Sequence, residues 1–517
     1  MATERSRSEL SGLRTSGRPD VCFILEGTYP YVAGGVSSWV HDLIRAQEHL
    51  RFALVCILAT RTGLKRRYEL PPNVVQVHHV FLQEQEPGAM GWWGKGAAVV
   101  KQVEPPLSRL LKDGDMEDLR SLLSILARSG VGARLLMNSR AAWRMIGRMY
   151  EATVPSSSFL DYFWSWRSLV GSVIAVLTCE VPDAGCYHAV STGYAGLLAA
   201  RTKIERKRPL ILTEHGIYTN ERRIEIAMAD WLFQDPTRGM NIESSRRDLK
   251  DFWLDSFATF SRICYQAADR IITLYGGNQI LQRRDGADPA KMRIVPNGID
   301  FEHFSAVVRA PEPRPPTVVL IGRVVPIKDV KTFIRSIRLL RQSVPSVLAL
   351  ILGPTEEDET YFKECQAMVQ YMELADTIKF LGRVNIAEYL GKTDVIVLTS
   401  ISEAQPLVIL EGGAAGIPSV TTDVGACSEM IYGQEEESPP LGEGGAVVPV
   451  ANPAAIAVAL TRLIKDTRHW QRCSDAIRER VRTTYNKSTV NAYYRQLYET
   501  AASTADAVPL ATEGEAV

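Results

Sequence analysis

The chain has 517 residues, 46% hydrophobic and 23% charged. It is too long for one ordinary domain and has the balance of a soluble globular protein with two or three. Its 59 basic and 59 acidic residues cancel, which removes the one-signed field of a dedicated nucleic-acid binder and leaves only local patches. Eight cysteines at irregular spacing, with no CxxC pair, fit a reducing cytosol with free buried thiols and offer no zinc site.

Residues 1–18 are polar and basic, without the apolar core of a secretory signal, and read as a disordered arm. Val21–Glu26 reads as a first strand. The loop after it contains Gly34-Gly35, and apolar residues at 36, 39, 40, 43 and 44 have helical spacing. Glycines at the entrance to a helix let the backbone approach a diphosphate, and the helix N-terminus favours anions. Further strand-like runs occupy 52–58, 74–80, 185–190, 209–213, 270–274 and 292–295, with helical patterns between several of them. That alternation predicts a parallel sheet with crossovers. No GxGxxG follows the first strand, which disfavours a dinucleotide-binding domain.

Between about 83 and 178 the rhythm breaks. The segment is rich in Leu, Arg, Met and Trp at helical spacing and predicts an all-helical insertion. Its longest apolar run, Ser168–Cys179, is closed by Arg167 and Glu180 and is too short for a membrane span. Asp113-Gly-Asp115 mimics a DxD metal motif but lies between helical patterns, so it reads as a solvated turn. His188 and His215 each stand at or just past the end of a strand.

Ala310–Pro316 is a stiff proline-rich linker. Beyond it, strands are expected near 317–321, 347–352, 377–381, 394–398, 418–421 and 445–449, then helices to about residue 500 and a small, acidic, disordered tail over 503–517. The first of these strands ends at Gly322, and Arg323 and Lys328 follow five residues apart. A planar guanidinium fork and a mobile ammonium suit phosphate oxygens. After the fourth strand come Glu403 and Glu411, eight positions apart, with Pro406 at the start of a helix. In an open α/β sheet ligands bind at the carboxyl ends of the strands, and a carboxylate inside a helix beside that crevice can accept both hydroxyls of a ribose.

Gly-Arg, Lys five residues later, then Glu-x7-Glu resembles the retaining glycosyltransferases of family 4, which have the GT-B fold. From Asp20 to Leu43, and again over Leu212–Ile226, the wording is similar to the cytosolic glycosyltransferases of bacterial Pel exopolysaccharide systems, a resemblance running from about residue 20 to 500. It implies an N-terminal acceptor domain (19–308), a nucleotide-sugar domain (309–483) and a helix (484–502) crossing back. It further implies transfer from a UDP-sugar to a growing polysaccharide, with retained configuration, no metal, no nucleic acid, and inner-membrane synthesis and export partners of a cytoplasmic enzyme.

Carried over residue by residue, the resemblance gives Arg323 and Lys328 the departing diphosphate, Glu403 the donor sugar and Glu411 the ribose. The amides of Leu407 and Val408 face the phosphate, backbone near Gly382 and Arg383 reads the base, and His215 contacts the sugar near the reacting carbon. Gly34 and Gly35 complete the phosphate loop. Many family members have glycines where this chain has Ala404 and Pro406, and Pro406 removes one amide donor. Two alternatives stand beside this reading: a glycogen- or sucrose-synthase-like transferase with a soluble acceptor, and a catalytically silent nucleotide-sugar scaffold.

Overall fold

A computed structural model describes residues 17–84, 96–228, 247–311, 313–434 and 437–506. They fall into two compact units. One holds the described residues of Met1–Thr273, Asn278–Arg293 and Tyr494–Val517, and the other holds those of Leu274–Gly277 and Ile294–Tyr493. Of the expected terminal arm and tail, residues 1–16 and 507–517 lie outside the described residues. The last helix, Lys487–Asp506, continues past 502, where alanines at 501, 502 and 505 favour its extension.

The first sheet contains β1 (Val21–Glu26), β2 (Phe52–Leu58), β3 (Val74–Phe81), β4 (Cys186–Ala189), β5 (Leu210–Glu214), β6 (Arg270–Thr273) and β7 (Met292–Ile294). Its spatial order is β3-β2-β1-β4-β5-β6-β7, and the pairings from β3 to β6 are parallel. All seven residues of β2 are buried, the continuous apolar pattern of a strand covered on both faces. β4 is one residue shorter at each end than the expected run, and Gly185 just before it packs on the chain before β1. A Cβ there would lie 2.6 Å from the Asp20 carbonyl oxygen.

From Gly96 to Thr178 the chain forms five helices, Gly96–Leu110, Met116–Ser129, Ala133–Asn138, Arg140–Thr153 and Phe159–Thr178. The Asp113-Gly-Asp115 turn has a structural use. The Asp115 carboxylate accepts from the amides of Glu117 and Asp118, and Asp118 accepts from the Asp115 amide, which closes a capping box. The long apolar run lies in Phe159–Thr178, where Leu169, Val170 and Val173 are buried. No helix among the described residues is long and apolar enough to cross a membrane.

The second sheet contains β8 (Thr317–Ile321), β9 (Leu348–Leu352), β10 (Ile378–Gly382), β11 (Val395–Leu398), β12 (Ser419–Thr422) and β13 (Gly445–Val448). It is parallel, in the order β10-β9-β8-β11-β12-β13. Successive side chains enter opposite cores. Val318 and Leu320 join one cluster, and Val319 and Ile321 join the other. Strand order reverses between β1 and β4 in the first sheet and between β8 and β11 in the second. In such sheets the crevice outside the carboxyl ends at the reversal is where ligands bind. The eight cysteines are free thiols, all buried except the half-buried Cys179.

Candidate functional site

In the second unit, the reversal point brings together residues from two loops. After β8 the chain passes Gly322 and Arg323 and makes one tight turn, Pro326–Lys328. After β11, Glu403 lies in the loop that leads to the helix Leu407–Ala414. The Lys328 ammonium donates to Glu403 Oε1, and Ser400 Oγ donates to the same oxygen at 2.7 Å. The side chains of Lys328 and Glu403 are 19% and 15% exposed, so solvent screens the pair only partly. Backbone links fasten the loops: Thr399 Oγ1 donates to the Lys328 carbonyl at 2.7 Å, and the Ile401 amide donates to the Ile327 carbonyl at 2.9 Å. Arg323 does not join this pair. Its guanidinium meets Glu357 at 2.5 Å, and both side chains are half exposed.

Pro406 takes the N-cap position of Leu407–Ala414, and no side chain caps that helix. Leu407 is exposed and Val408 half-buried at its first turn. Glu411 is the fifth helical residue and is half-buried. Burial pushes its carboxyl above the ordinary glutamate range, with His303 opposing. Gln405 secures the loop from inside: its Oε1 accepts from the Asn297 amide at 2.8 Å, and its Nε2 donates to the Asn297 carbonyl at 3.4 Å. Gly425, at φ +54°, lies against the same loop, where a Cβ would stand 2.2 Å from the Glu403 carbonyl oxygen. Gly382 is also left-handed, at φ +67° with open space around it, and Arg383 beside it is exposed.

In the first unit, Gly34 is the N-cap and Gly35 the first residue of the helix Gly35–Ala46, again with no side-chain cap. A Cβ on either glycine would meet nothing within 4 Å. His215 follows β5 and is buried, with its ring edge-on to Trp39 at 4.6 Å between centroids. His188 is a core residue. Its Nδ1 bonds to Tyr498 Oη at 2.7 Å and its Nε2 to Thr213 Oγ1 at 2.8 Å, and burial lowers its pKa to about 3.

Two carboxylates at strand ends escaped the sequence reading. Glu26 closes β1 at the reversal point. It accepts from the Ala195 amide at 2.9 Å and Tyr218 Oη at 2.9 Å, and burial raises its pKa. Glu214 closes β5 immediately before His215. Its Oε2 accepts from Tyr265 Oη at 2.7 Å and Gln282 Nε2 at 2.9 Å, and its Oε1 accepts from Thr192 Oγ1 at 3.3 Å. Burial pushes this carboxyl up to about 7 despite those donors. The available signal was an acid ending an otherwise apolar strand, the position where a parallel sheet presents ligand-binding groups.

Comparisons with known proteins agree with this architecture. Residues 315–466 match the family described as "Glycosyl transferases group 1". The chain is 26% identical over 235 residues to the glycogen synthase of Mycobacterium tuberculosis, covering 45% of this chain and 54% of that protein. It is 28% identical over 223 residues to the D-inositol 3-phosphate glycosyltransferase of Kineococcus radiotolerans, covering 39% and 50%. The chain thus spans about half the length of these curated relatives. Among solved structures, Anabaena HepE in complex with UDP superimposes with a TM-score of 0.54 at 13% identity, over 93% of this chain and 99% of that one. Sucrose-phosphate synthase from Thermosynechococcus elongatus gives 0.55 at 15% identity, over 94% and 99%. The fold is therefore GT-B. Residues 19–290 match "Domain of unknown function (DUF3492)", so the chain belongs to that family and joins its domain to a group 1 glycosyl transferase domain.

Proposed function

We propose that the chain is a retaining glycosyltransferase of the PelF type, passing a sugar from UDP to a growing Pel-type polysaccharide on the cytosolic side of the membrane. The observation that carries this reading is Lys328 joined to Glu403 at the carboxyl ends of β8 and β11, beside the uncapped start of Leu407–Ala414. A departing diphosphate accumulates charge in the transition state, and fixed cations and helix amides stabilise that charge. Lys328 and Arg323 supply the cations, and Leu407 and Val408 supply the amides. Glu403 orients Lys328 and the donor sugar, Glu411 accepts the ribose hydroxyls, and Gly382 and Arg383 flank the base. His215 serves the reacting sugar. Inner-membrane synthesis and export proteins would receive the product.

These cations and amides take the place of a metal in the proposed mechanism. Activity should therefore survive EDTA, and full inhibition reversed by Mg²⁺ would remove that part. The direct test of the donor site is calorimetric titration with UDP, ADP, GDP and NAD, with Arg323→Ala alongside. UDP binding that weakens in the mutant supports the reading; no binding of any nucleotide removes the donor-site assignment. The likeness to a protein named glycogen synthase favours one second reading, transfer to a soluble glucan. Comparing polysaccharide fragments with soluble glucans as acceptors separates the two.

A further inference from the structure

The helical segment of the first unit carries an apolar patch that its own core does not cover. Trp143 on the helix Arg140–Thr153 is 55% exposed, and Leu160 and Trp164 on Phe159–Thr178 are 63% and 60% exposed. They form one surface. The Trp143 ring contacts Phe159 and Phe163 at 5.6 and 5.4 Å between centroids, and Phe163 contacts Trp164 at 5.2 Å. Leu160 and Trp164 are one helical turn apart and so project together. Two exposed arginines, Arg140 and Arg144, stand three residues before and one after Trp143 on the same helix. Neither enters an ion pair among the described residues.

We propose that this patch docks onto the surface of an anionic lipid bilayer. Protruding tryptophans and a leucine suit the boundary between headgroups and acyl chains, and cations beside them attract anionic headgroups. Arg140 and Arg144 meet no acidic partner among the described residues, so their charge is left to attract anionic headgroups beside the exposed tryptophans. The whole chain is neutral, so the attraction is local to this patch. Neither the donor site nor its chemistry enters this inference.

The test is co-sedimentation of the full chain with vesicles of phosphatidylcholine alone and of phosphatidylcholine with phosphatidylglycerol. Binding to the anionic vesicles is expected, weakening with salt. Losing one arginine should reduce the partition coefficient about fivefold, so Arg140→Gln with Arg144→Gln should reduce it further. Trp143→Ala with Trp164→Ala should abolish binding and leave UDP affinity unchanged, with a modest fall in melting temperature from the lost ring contacts with Phe159 and Phe163 and the fold retained by circular dichroism. No binding to either vesicle overturns the proposal, as does binding that the tryptophan variant retains. Self-association in lipid-free buffer that the tryptophan variant abolishes, without vesicle binding, also overturns it and assigns the patch to a second copy of the chain.

Discussion

Lys328 and Glu403 lie 75 residues apart in the chain and meet as an ion pair across the reversal point of the second sheet. The pair fixes a cation where charge would build on a leaving diphosphate, so the two residues should behave as one unit. Lys328→Ala and Glu403→Gln should each lower turnover by about 10²–10³. The double variant should be little worse than either single one, because the second change removes a partner already disabled. Steady-state release of UDP measures all three. Fully additive losses would show that the residues act separately.

Glu411 has a titration signature. Burial raises its native pKa above that of an exposed glutamate, so it takes up a proton sooner as pH falls. The ribose would then lose an ionised acceptor, and UDP affinity should drop as pH falls through the native pKa of Glu411. Hydrogen bonds to charged groups contribute about 1.5–3 kcal/mol, so Glu411→Gln should weaken UDP about tenfold or more at neutral pH and flatten that dependence. Calorimetry across the acidic range checks both. Unchanged UDP affinity in Glu411→Gln would remove the ribose assignment.

The legibility of this protein differed by residue. The strands of both sheets were readable because parallel strands covered on both faces are continuous apolar runs, as Phe52–Leu58 is. The places of Arg323, Lys328 and Glu403 in loops after strands, and of Glu411 inside the helix that follows, were readable from the apolar runs before them. The pairing of Arg323 with Glu357 rather than with the Lys328–Glu403 pair was not, since a flexible side chain chooses among partners that folding alone brings near. Glu26 and Glu214 were passed over because each looked like the polar end of a strand. Their hydrogen-bond partners Tyr218, Tyr265 and Gln282 arrive from helices far along the chain.

Gly34 and Gly35 can be separated from Gly425 by their surroundings. A Cβ at 34 or 35 meets no protein atom within 4 Å, so Gly34→Ala and Gly35→Ala should leave the melting temperature nearly unchanged. If an anion approaches that helix start, the added methyl intrudes on its space and turnover should fall by tenfold or so, the loss of about one charged hydrogen bond. Gly425→Ala should do the reverse. Its left-handed backbone and the Glu403 carbonyl 2.2 Å from the new Cβ should lower the melting temperature first. Thermal melts beside kinetics sort the three, and full activity in both N-terminal variants would remove the phosphate-loop role.

Glu214 ties Thr192, Tyr265 and Gln282 to the end of β5, directly before His215. Its native pKa is raised to about 7, so between the ordinary glutamate value and about 7 the folded state holds a proton that the unfolded state has released. Stability must therefore fall as pH rises through that window, by roughly 3 kcal/mol for a shift of this size. Glu214→Gln cannot ionise and should flatten that part of the curve. Its amide offers a donor as well as an acceptor, so one contact with Tyr265 or Gln282 must rearrange and the whole curve should sit lower by about 1–3 kcal/mol. Urea unfolding at about pH 5 and pH 8 on both proteins measures the difference. A wild-type curve that rises across this window would mean that the hydrogen-bond donors, rather than burial, govern the charge on Glu214.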